Sequence, residues 1–450
     1  MTKLKWLWST LKSSFWFVPS LIVAGSIALA IALIDAHSTA SAQWLARWPR
    51  LFGAGADGAR GMMSTIASSM MTVVGVTFSM ILVVLALASS QYTSRILRNF
   101  MRSRVTQVVL GIFAGIFTYS LIVLRTIRGG DEGAFVPSLA VFAGFVLALA
   151  GVGTLMFFIH HISSSIQASS IIASVAQETI EAIDQQFPKK LGHEPVEEDD
   201  DGPTLLPPPQ RKWRAVPARE SGYLQSVNNE ALLRLARERS TVVRMERGIG
   251  EFVVQNTALA SLALDAPPDN ETIALLQAGF LISHHRTVEQ DASFGIRQIV
   301  DVALKALSPG INDNTTAVMC VDYLTTILAR LASQQIPSSR RYEEGELRVI
   351  AKGPSYERLL GESFDQIRSN AKGNVAMISR MLDAFETLAN VTAGPDRRRA
   401  LREQVQRTAE LAERTVEFSH DRATLAAALA RVRQTLDAEP PLCAGGENAN

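Results

Sequence analysis

The residues best suited to chemistry lie in one stretch, between His284 and Asp313. His284 and His285 offer a base, and Glu289 and Asp291 offer a pair of carboxylates. No nucleophile elbow, phosphate-binding loop or metal-ligand spacing accompanies these residues in the sequence. We therefore predict no catalytic, cofactor-binding or metal-binding residues and favour a protein that is not an enzyme, with an active site here as the alternative.

The segment from Ser308 to Asp313 reads as a turn between two helices. Ser308-Pro309-Gly310 should end the first helix, because proline disfavours helical geometry before it and glycine accepts a left-handed cap. Asn312 or Asp313 can cap the second helix by accepting hydrogen bonds from its free backbone amides.

The alternative is an anion or ligand site at the start of that second helix. Its candidate residues are Arg286, Arg297, Ser308, Gly310, Asn312 and Asp313. An aspartate at the cap already occupies the positive end of the helix, so we favour the structural turn.

Other reactive side chains have simpler explanations. Arg297, Asp301 and Lys305 are spaced to pair along one helical face. Cys320 and Cys443 are the only cysteines and are expected to be free thiols in a reducing compartment. A formal net charge of +1 gives no reason to expect nucleic acid as a partner.

Four long apolar runs in the first third of the chain determine the architecture. Each is near the roughly 20 apolar residues that a helix needs to cross a bilayer. The runs are Phe15–Ile34, Met70–Ala88, Val105–Leu124 and Phe135–Ile159. We predict a bundle of four transmembrane helices over residues 1–161, with the lipid bilayer as a partner.

Positive charge predicts the orientation of these helices. The N-terminus carries three lysines and the loop after the second run carries four arginines, without acidic residues: Lys3, Lys5, Lys12, Arg95, Arg98, Arg102 and Arg104. Lysine and arginine concentrate on the cytoplasmic side, so both termini are expected there.

The rest of the chain predicts a mixed α+β, helix-rich cytosolic domain. We expect a helical stalk continuing the fourth span over 162–187, an acidic and proline-rich linker over 188–220, the domain over 221–438 and a disordered tail over 439–450. Predicted strands are Gly222–Val227, Thr241–Met245, Phe252–Val253, Ala258–Leu262 and Glu346–Ile350. Predicted helices are Glu230–Glu238, Asp291–Leu307 and Val318–Leu331, with two or three more in Ser355–Leu436.

Several motifs together resemble one bacterial family. They are Arg286–Asp291, Phe294–Gln298, Ala306–Asp313, Ile66–Met70 and Ala88–Tyr92. With them the chain resembles the predicted membrane proteins catalogued as domain of unknown function 2254, most strongly from Met62 to Leu331. The resemblance implies a bacterial inner-membrane protein and supplies no reaction, substrate or cofactor.

Small and polar residues within the spans bear on function. Gly111 and Gly115 form a Gly-x-x-x-Gly pair that permits close helix approach, which we expect to help form a homo-oligomer. Thr72, Gly75, Thr77 and Ser79 in the second span, and Thr118, Tyr119 and Ser120 in the third, suit helix packing or a polar path.

Two functions remain open. One is a homo-oligomeric channel or transport-like pore with a cytosolic assembly or gating domain; the other is a membrane-tethered sensor or scaffold that binds a ligand or protein. No acidic or basic residue lies deep in a predicted span, which argues against a proton-coupled pump.

Overall fold

The computed structural model describes residues 16–36, 55–91, 104–129, 135–165, 167–186, 212–334, 339–343 and 345–438. The chain divides into two compact units, Met1–Gln167 and Ala168–Asn450, and each is described by itself. The loop carrying Arg95, Arg98 and Arg102, the core of the predicted linker and the predicted tail at 439–450 lie outside the described residues.

The first unit contains a long helix at each of the four predicted apolar runs. They are α1 (Phe17–Ala36), α2 (Ala56–Gln91), α3 (Arg104–Thr126) and α4 (Ser138–Ser165). Within the described residues, five helices are long and apolar enough to cross a membrane, and the fifth is Asn314–Ala332 in the second unit. Helix α2 begins well before the predicted start at Met70, because residues 56–69 are helical although less apolar.

Helix α3 occupies the centre of the first unit and contacts α1, α2 and α4. Its Phe113, Tyr119 and Val123 are fully buried. Helices α1, α2 and α4 instead turn many large apolar side chains outward, including Leu21, Phe78, Leu149 and Met156. Outward apolar faces around a tightly packed centre are what a bilayer selects.

Two hydrogen bonds from side chains to backbone connect the helices of this unit. Tyr119 Oη donates to the carbonyl of Ala140 in the first turn of α4 at 2.7 Å. Arg60, near the start of α2, donates to the carbonyl of Ile127, just after α3, through Nη2 at 3.0 Å. The last carbonyls of a helix lack intrahelical partners, so Arg60 satisfies an otherwise open acceptor and aligns the start of α2 with the end of α3.

The second unit combines two sheets with nine helices among its described residues. Its first half contains α5 (Ala168–Gln186), β1 (Trp213–Pro217), β2 (Gly222–Val227), α6 (Asn229–Glu238), β3 (Val243–Met245), β4 (Phe252–Val253), β5 (Ala258–Ala263), α7 (Asn270–Ala278) and β6 (Phe280–Ser283). Its second half contains α8 (Ala292–Ala306), α9 (Asn314–Ala332), β7 (Arg340–Glu343), β8 (Glu346–Ile350), α10 (Tyr356–Asn370), α11 (Val375–Val391), α12 (Pro395–Thr415) and α13 (Ser419–Asp437).

The strands form a five-stranded sheet in the order β1-β5-β3-β8-β7 and a three-stranded sheet in the order β4-β2-β6. The pairs are antiparallel except β3 with β8. The predicted strands all occur, although β3 starts at Val243. Strand β1 was missed and lies before the predicted domain start at 221, because its Pro217 resembles linker sequence although an edge strand tolerates proline. Strands β6 and β7 and helix α7 were also not predicted.

The helical part of the second unit follows the predicted apolar periodicity. Helix α8 matches Asp291–Leu307, whose end residues are its N-cap and C-cap. The region after Ser355 holds four helices rather than two or three. Asn374 caps the start of α11, and Gly394, at φ +92°, precedes Pro395 at the start of α12. These signals divide a long apolar pattern into shorter helices.

The predicted stalk consists of parts of two separate helices. Helix α4 ends at Ser165 and α5 begins at Ala168. The apolar stripe of α5, including Ile172, Val175 and Ile183, is buried in the second unit, where α5 packs against α8 and α9. The stripe therefore belongs to the core of that unit.

One buried arginine closes two helix ends in the second unit. Arg398 is 5% exposed. Its guanidinium donates to the carbonyls of Ala389 and Thr392 at the end of α11. It also donates to the carbonyls of Thr435, Leu436 and Ala438 at the end of α13. A cation there satisfies carbonyls that the helices leave open and opposes the negative end of each helix dipole.

Replacing Arg398 should destabilise the second unit. Arg398→Met keeps the apolar stem but leaves buried carbonyls without donors, so we expect the free energy of unfolding to fall by about 3 kcal/mol. Hydrogen exchange of peptides from α11 and α13 in the full chain in detergent would measure this. Arg399→Met is the control, because Arg399 is an exposed neighbour paired only with exposed Asp396; equal effects of the two variants would contradict the assignment.

Candidate functional site

The stretch from Arg286 to Asp291 forms a buried ionic junction at the start of α8. Arg286 binds the Asp291 carboxylate with two hydrogen bonds, Nε to Oδ2 at 2.8 Å and Nη2 to Oδ1 at 3.0 Å. Asp291 is 4% exposed and also accepts from the backbone amide of Phe294, which makes it the N-cap of α8. The guanidinium of Arg286 lies over the Phe294 ring.

This junction connects the helices to the small sheet. Gly250, at φ +84°, approaches so closely that a Cβ there would contact the Asp291 carboxylate and lie 2.7 Å from Arg286 Nη2. Ser293 donates to Glu362 on α10, and Glu362 pairs with Arg358. Gln290 accepts from the backbone amide of Val227 on β2. Every one of these side chains has a partner, so the junction reads as a structural connection.

The remaining sequence candidates for acid–base chemistry do not join this junction through any described contact. His284, His285 and Glu289 are exposed or nearly so. Arg297 pairs with Asp301 one turn further along α8. In the described part of the chain no group of three potential metal ligands occurs. Burial, with further contributions from the charges of Asp313 and Asp322, raises the pKa of the Cys320 thiol, which keeps it protonated and unreactive.

The Ser308–Asp313 segment is a hydrogen-bonded turn whose left-handed residue differs from the predicted one. Of the two predicted candidates, Asn312 and Asp313, it is Asp313 that caps α9, by accepting from the backbone amide of Thr316 at 3.0 Å. Hydrogen bonds from the Thr316 hydroxyl and backbone lower the pKa of Asp313. The left-handed residue is Asn312, at φ +51°, and Gly310 is not left-handed. Asparagine tolerates this conformation through its short polar side chain, so glycine was not required.

The predicted anion-site residues are only partly brought together. Ser308, Gly310, Asn312 and Asp313 share the turn, and its amides bond to Ser308 and Ala306 carbonyls. The described side-chain contacts of Arg286 are with Asp291, Ser293 and Phe294, and that of Arg297 is with Asp301; none of these residues lies in the turn. The turn thus has a structural role, and an anion site there stays a prediction.

The Gly111/Gly115 pair of α3 is filled from within the same unit. A Cβ on Gly111 would lie 2.8 Å from Ile22 Cδ1 and 2.9 Å from Pro19 Cα, both on α1. A Cβ on Gly115 would collide with Ser26 Oγ, also on α1. The pair permits close helix approach, as its spacing indicated, but the helix that approaches is α1 of the same chain.

The face of the bundle that stands out chemically is on α2. Seven small or hydroxyl residues lie along its outward side and are all exposed: Gly61, Ser64, Thr65, Ser68, Thr72, Gly75 and Ser79. We call this set the α2 polar face. A Cβ added at Gly61 or Gly75 would meet nothing within 4 Å, so open space lies in front of it.

The opposite side of α2 is buried and largely apolar. Met63, Ile66 and Met70 pack into the core of the first unit. Thr77, which sequence reasoning grouped with Thr72, Gly75 and Ser79, lies on this buried side at 2% exposure. The outward side of α2 is therefore mixed, because the small and hydroxyl residues of the α2 polar face lie beside exposed apolar residues such as Met71 and Phe78.

The signal for the α2 polar face was present in the sequence. Positions 61, 64, 68, 72, 75 and 79 follow helical spacing, which places them on one side. The predicted span began at Met70, however, and so divided the face at its middle. The sequence also could not indicate which side of α2 would meet α3.

Comparison with known proteins gives one family and a few relatives. The model of a family described as "Predicted membrane protein (DUF2254)" matches residues 12–387. An uncharacterised protein of Mycobacterium bovis and one of Mycobacterium tuberculosis H37Rv are each 33% identical over 393 residues, which cover 84% of this chain and 73% of the relative. No solved structure matches the chain.

The ionic junction should contribute strongly to stability. Asp291→Ala removes the cap of α8 and leaves Arg286 partly buried without its partner, so we expect a loss of about 3–5 kcal/mol in the free energy of unfolding. Denaturant unfolding of the full chain in detergent would measure it. The control is Asp437→Ala, whose ion pair with Arg402 is exposed and should be worth about 1 kcal/mol or less.

The turn after α8 should respond to substitution at Asn312 and not at Gly310. Asn312→Val places a β-branched residue in the left-handed region and should cost about 1–2 kcal/mol. Gly310→Ala should change the free energy of unfolding by about 0.5 kcal/mol or less, because its Cβ meets open space. Thermal unfolding of both variants would compare them; a larger loss at Gly310 would refute this assignment.

Proposed function

The chain belongs to the DUF2254 family of predicted membrane proteins, and from that premise we propose that it is a homo-oligomeric membrane channel lined by α2. The observation that carries the proposal is the α2 polar face, Gly61 to Ser79, which is exposed on the outside of the first unit. We further propose that the second unit is a cytosolic assembly or gating domain, and that the protein lies in the bacterial inner membrane.

The depth of the polar face supports this function. Helix α2 has 36 residues and is about 54 Å long, more than the roughly 30 Å of a hydrocarbon core. Arg60 bonds to Ile127 at the end of α3, and Met63 lies near Tyr119, so α2 runs antiparallel to α3. The polar face then lies level with the apolar length of α3, inside the hydrocarbon.

A lipid environment alone does not account for such a face. Hydrocarbon favours large apolar side chains outside the bundle, as α1, α4 and the remaining outward positions of α2 have them, while glycine, serine and threonine suit contact with another helix or with water. Met71 and Val76 flank the polar face and are exposed. In a ring of subunits, these flanks would contact neighbouring copies while the polar face lines a central path.

We also propose that α1 to α4 are the four spans and that α9 is a core helix of the second unit. Although α9 is long and apolar enough to cross a membrane, it packs against α5, α8, α10 and α11. Its Asp322 pairs with Arg380 on α11, and its Arg330 pairs with Asp184 on α5. Charges satisfied by neighbouring helices suit a soluble core.

A membrane-tethered scaffold is the second candidate, and one surface favours it. The solvent side of the three-stranded sheet exposes Phe252, Val254 and Leu281, each more than half exposed, with Tyr223 against Phe252. Apolar side chains clustered on one face suit protein docking. This candidate needs no path through the membrane.

Cysteine labelling and conductance distinguish the two functions. In a Cys443→Ser background, Thr65→Cys, Ser68→Cys and Thr72→Cys should react with a membrane-impermeant thiol reagent in native membranes, because water fills the path. Leu149→Cys and Met156→Cys, on the outward face of α4, are the controls and should stay unreactive in lipid. Purified protein in planar bilayers should conduct ions.

The same experiment tests the orientation. Gly129→Cys, exposed in the connection after α3, should react from outside intact cells if both termini are cytoplasmic. Protein that neither labels along α2 nor conducts would be inconsistent with a channel and would favour the scaffold.

A further inference from the structure

We propose that the path lined by α2 selects cations, and that Asp57 from each subunit forms the charged ring at its outer mouth. This inference rests on the proposed channel and adds the class of permeant solute and the residue that selects it. It follows from the position of Asp57, from the charges around it, and from the atoms that the α2 polar face presents.

Asp57 continues the α2 polar face toward the end of the helix. It lies in the first turn of α2, is exposed, and precedes Gly61 by four residues. Residues four and seven apart share one side of a helix, so Asp57, Gly61 and Ser64 lie in one line. In a closed ring of identical subunits, the site would consist of one Asp57 carboxylate from every copy.

Asp57 is the only charged residue on the outward, polar side of α2. Asp57 and Arg60 are the only charged residues between Ala56 and Gln91. Arg60 is engaged with the carbonyl of Ile127 through Nε at 3.3 Å and Nη2 at 3.0 Å, on the side of α2 that meets α3. Arg125 and Arg128 lie near the same end but belong to α3 and the connection that follows it.

The hydroxyl groups of the face present oxygen lone pairs. Thr65 donates its hydroxyl hydrogen to the Gly61 carbonyl at 2.8 Å, Ser68 to Ser64 at 2.9 Å, and Thr72 to Ser68 at 3.1 Å. A hydroxyl has one hydrogen and two lone pairs, so each oxygen remains an acceptor after this bond. Successive acceptors behind a carboxylate ring attract cations and give an anion no donor.

Reversal potentials in a KCl gradient test the inference on the full-length protein in planar bilayers. Wild type should reverse toward the potassium equilibrium potential. Asp57→Asn should lower the permeability ratio of potassium to chloride by about fivefold, which corresponds to about 1 kcal/mol for one charge 4 Å away in water. Asp57→Glu should retain the preference, and Asp35→Asn, which removes an exposed carboxylate at the end of α1, should leave it unchanged.

The outcomes separate this inference from the proposed function. A wild-type channel that conducts without preference, or that prefers chloride, would overturn the cation path while the channel stands; a chloride preference would point to Arg125 and Arg128. An Asp57→Asn channel as selective as wild type would remove Asp57 from its role. Absence of both conductance and α2 labelling would reject the channel itself, and cation selection with it.

Discussion

The close approach of α1 to Gly111 and Gly115 determines which faces of the transmembrane bundle remain open. Because these glycines let α1 pack directly on the α3 backbone, α3 becomes the central helix and its small-residue face is used within the subunit. Helix α2 then meets α3 through Met63, Ile66 and Met70 and turns its polar face outward. The proposed assembly would therefore use α2, and the glycine pair of α3 supports the fold of one subunit.

The hydroxyl groups of Thr65, Ser68 and Thr72 on α2 donate hydrogen bonds to their own helix backbone, which lets α2 enter hydrocarbon and still present oxygen acceptors. A bare hydroxyl in hydrocarbon is costly, but a serine or threonine that donates to the carbonyl four residues earlier has satisfied its hydrogen. Such a helix can enter the bilayer before any partner arrives. The same bond leaves the oxygen as an acceptor, so the α2 polar face can accept hydrogen bonds from water or from another copy of the chain. The same hydrogen bonds at Thr65, Ser68 and Thr72 would therefore serve both insertion into the bilayer and the channel proposed above.

The second unit uses its buried charge for structure. Asp291 caps α8 and holds Arg286, Asp313 caps α9, and Arg398 closes α11 and α13. At the ionic junction every carboxylate has a cation or an amide as partner, so no acid–base pair is left poised for catalysis. Sequence reasoning started α8 at Asp291 and gave Asp313 as one of two candidate caps of α9, since a capping residue lies next to the helix it starts. It missed Arg398, because the carbonyls that Arg398 binds come from helices distant in sequence.

The features that could be predicted from the sequence depend on local interactions, and those that could not depend on contacts between residues distant in the chain. Strand alternation, helical period and caps are local, and the elements Gly222–Val227 and Asp291–Leu307 were found on those signals. The sequence predicted a left-handed backbone at Gly310, but Asn312 adopts it. Glycine permits a left-handed conformation, whereas the hydrogen bonds around the turn decide which residue takes it. Spacing likewise predicts that Gly111 and Gly115 meet a helix without saying which one. Once α1 is known to pack on Gly111 and Gly115, the helical spacing of the residues from Asp57 to Ser79 identifies the side of α2 that faces away from the core of the subunit.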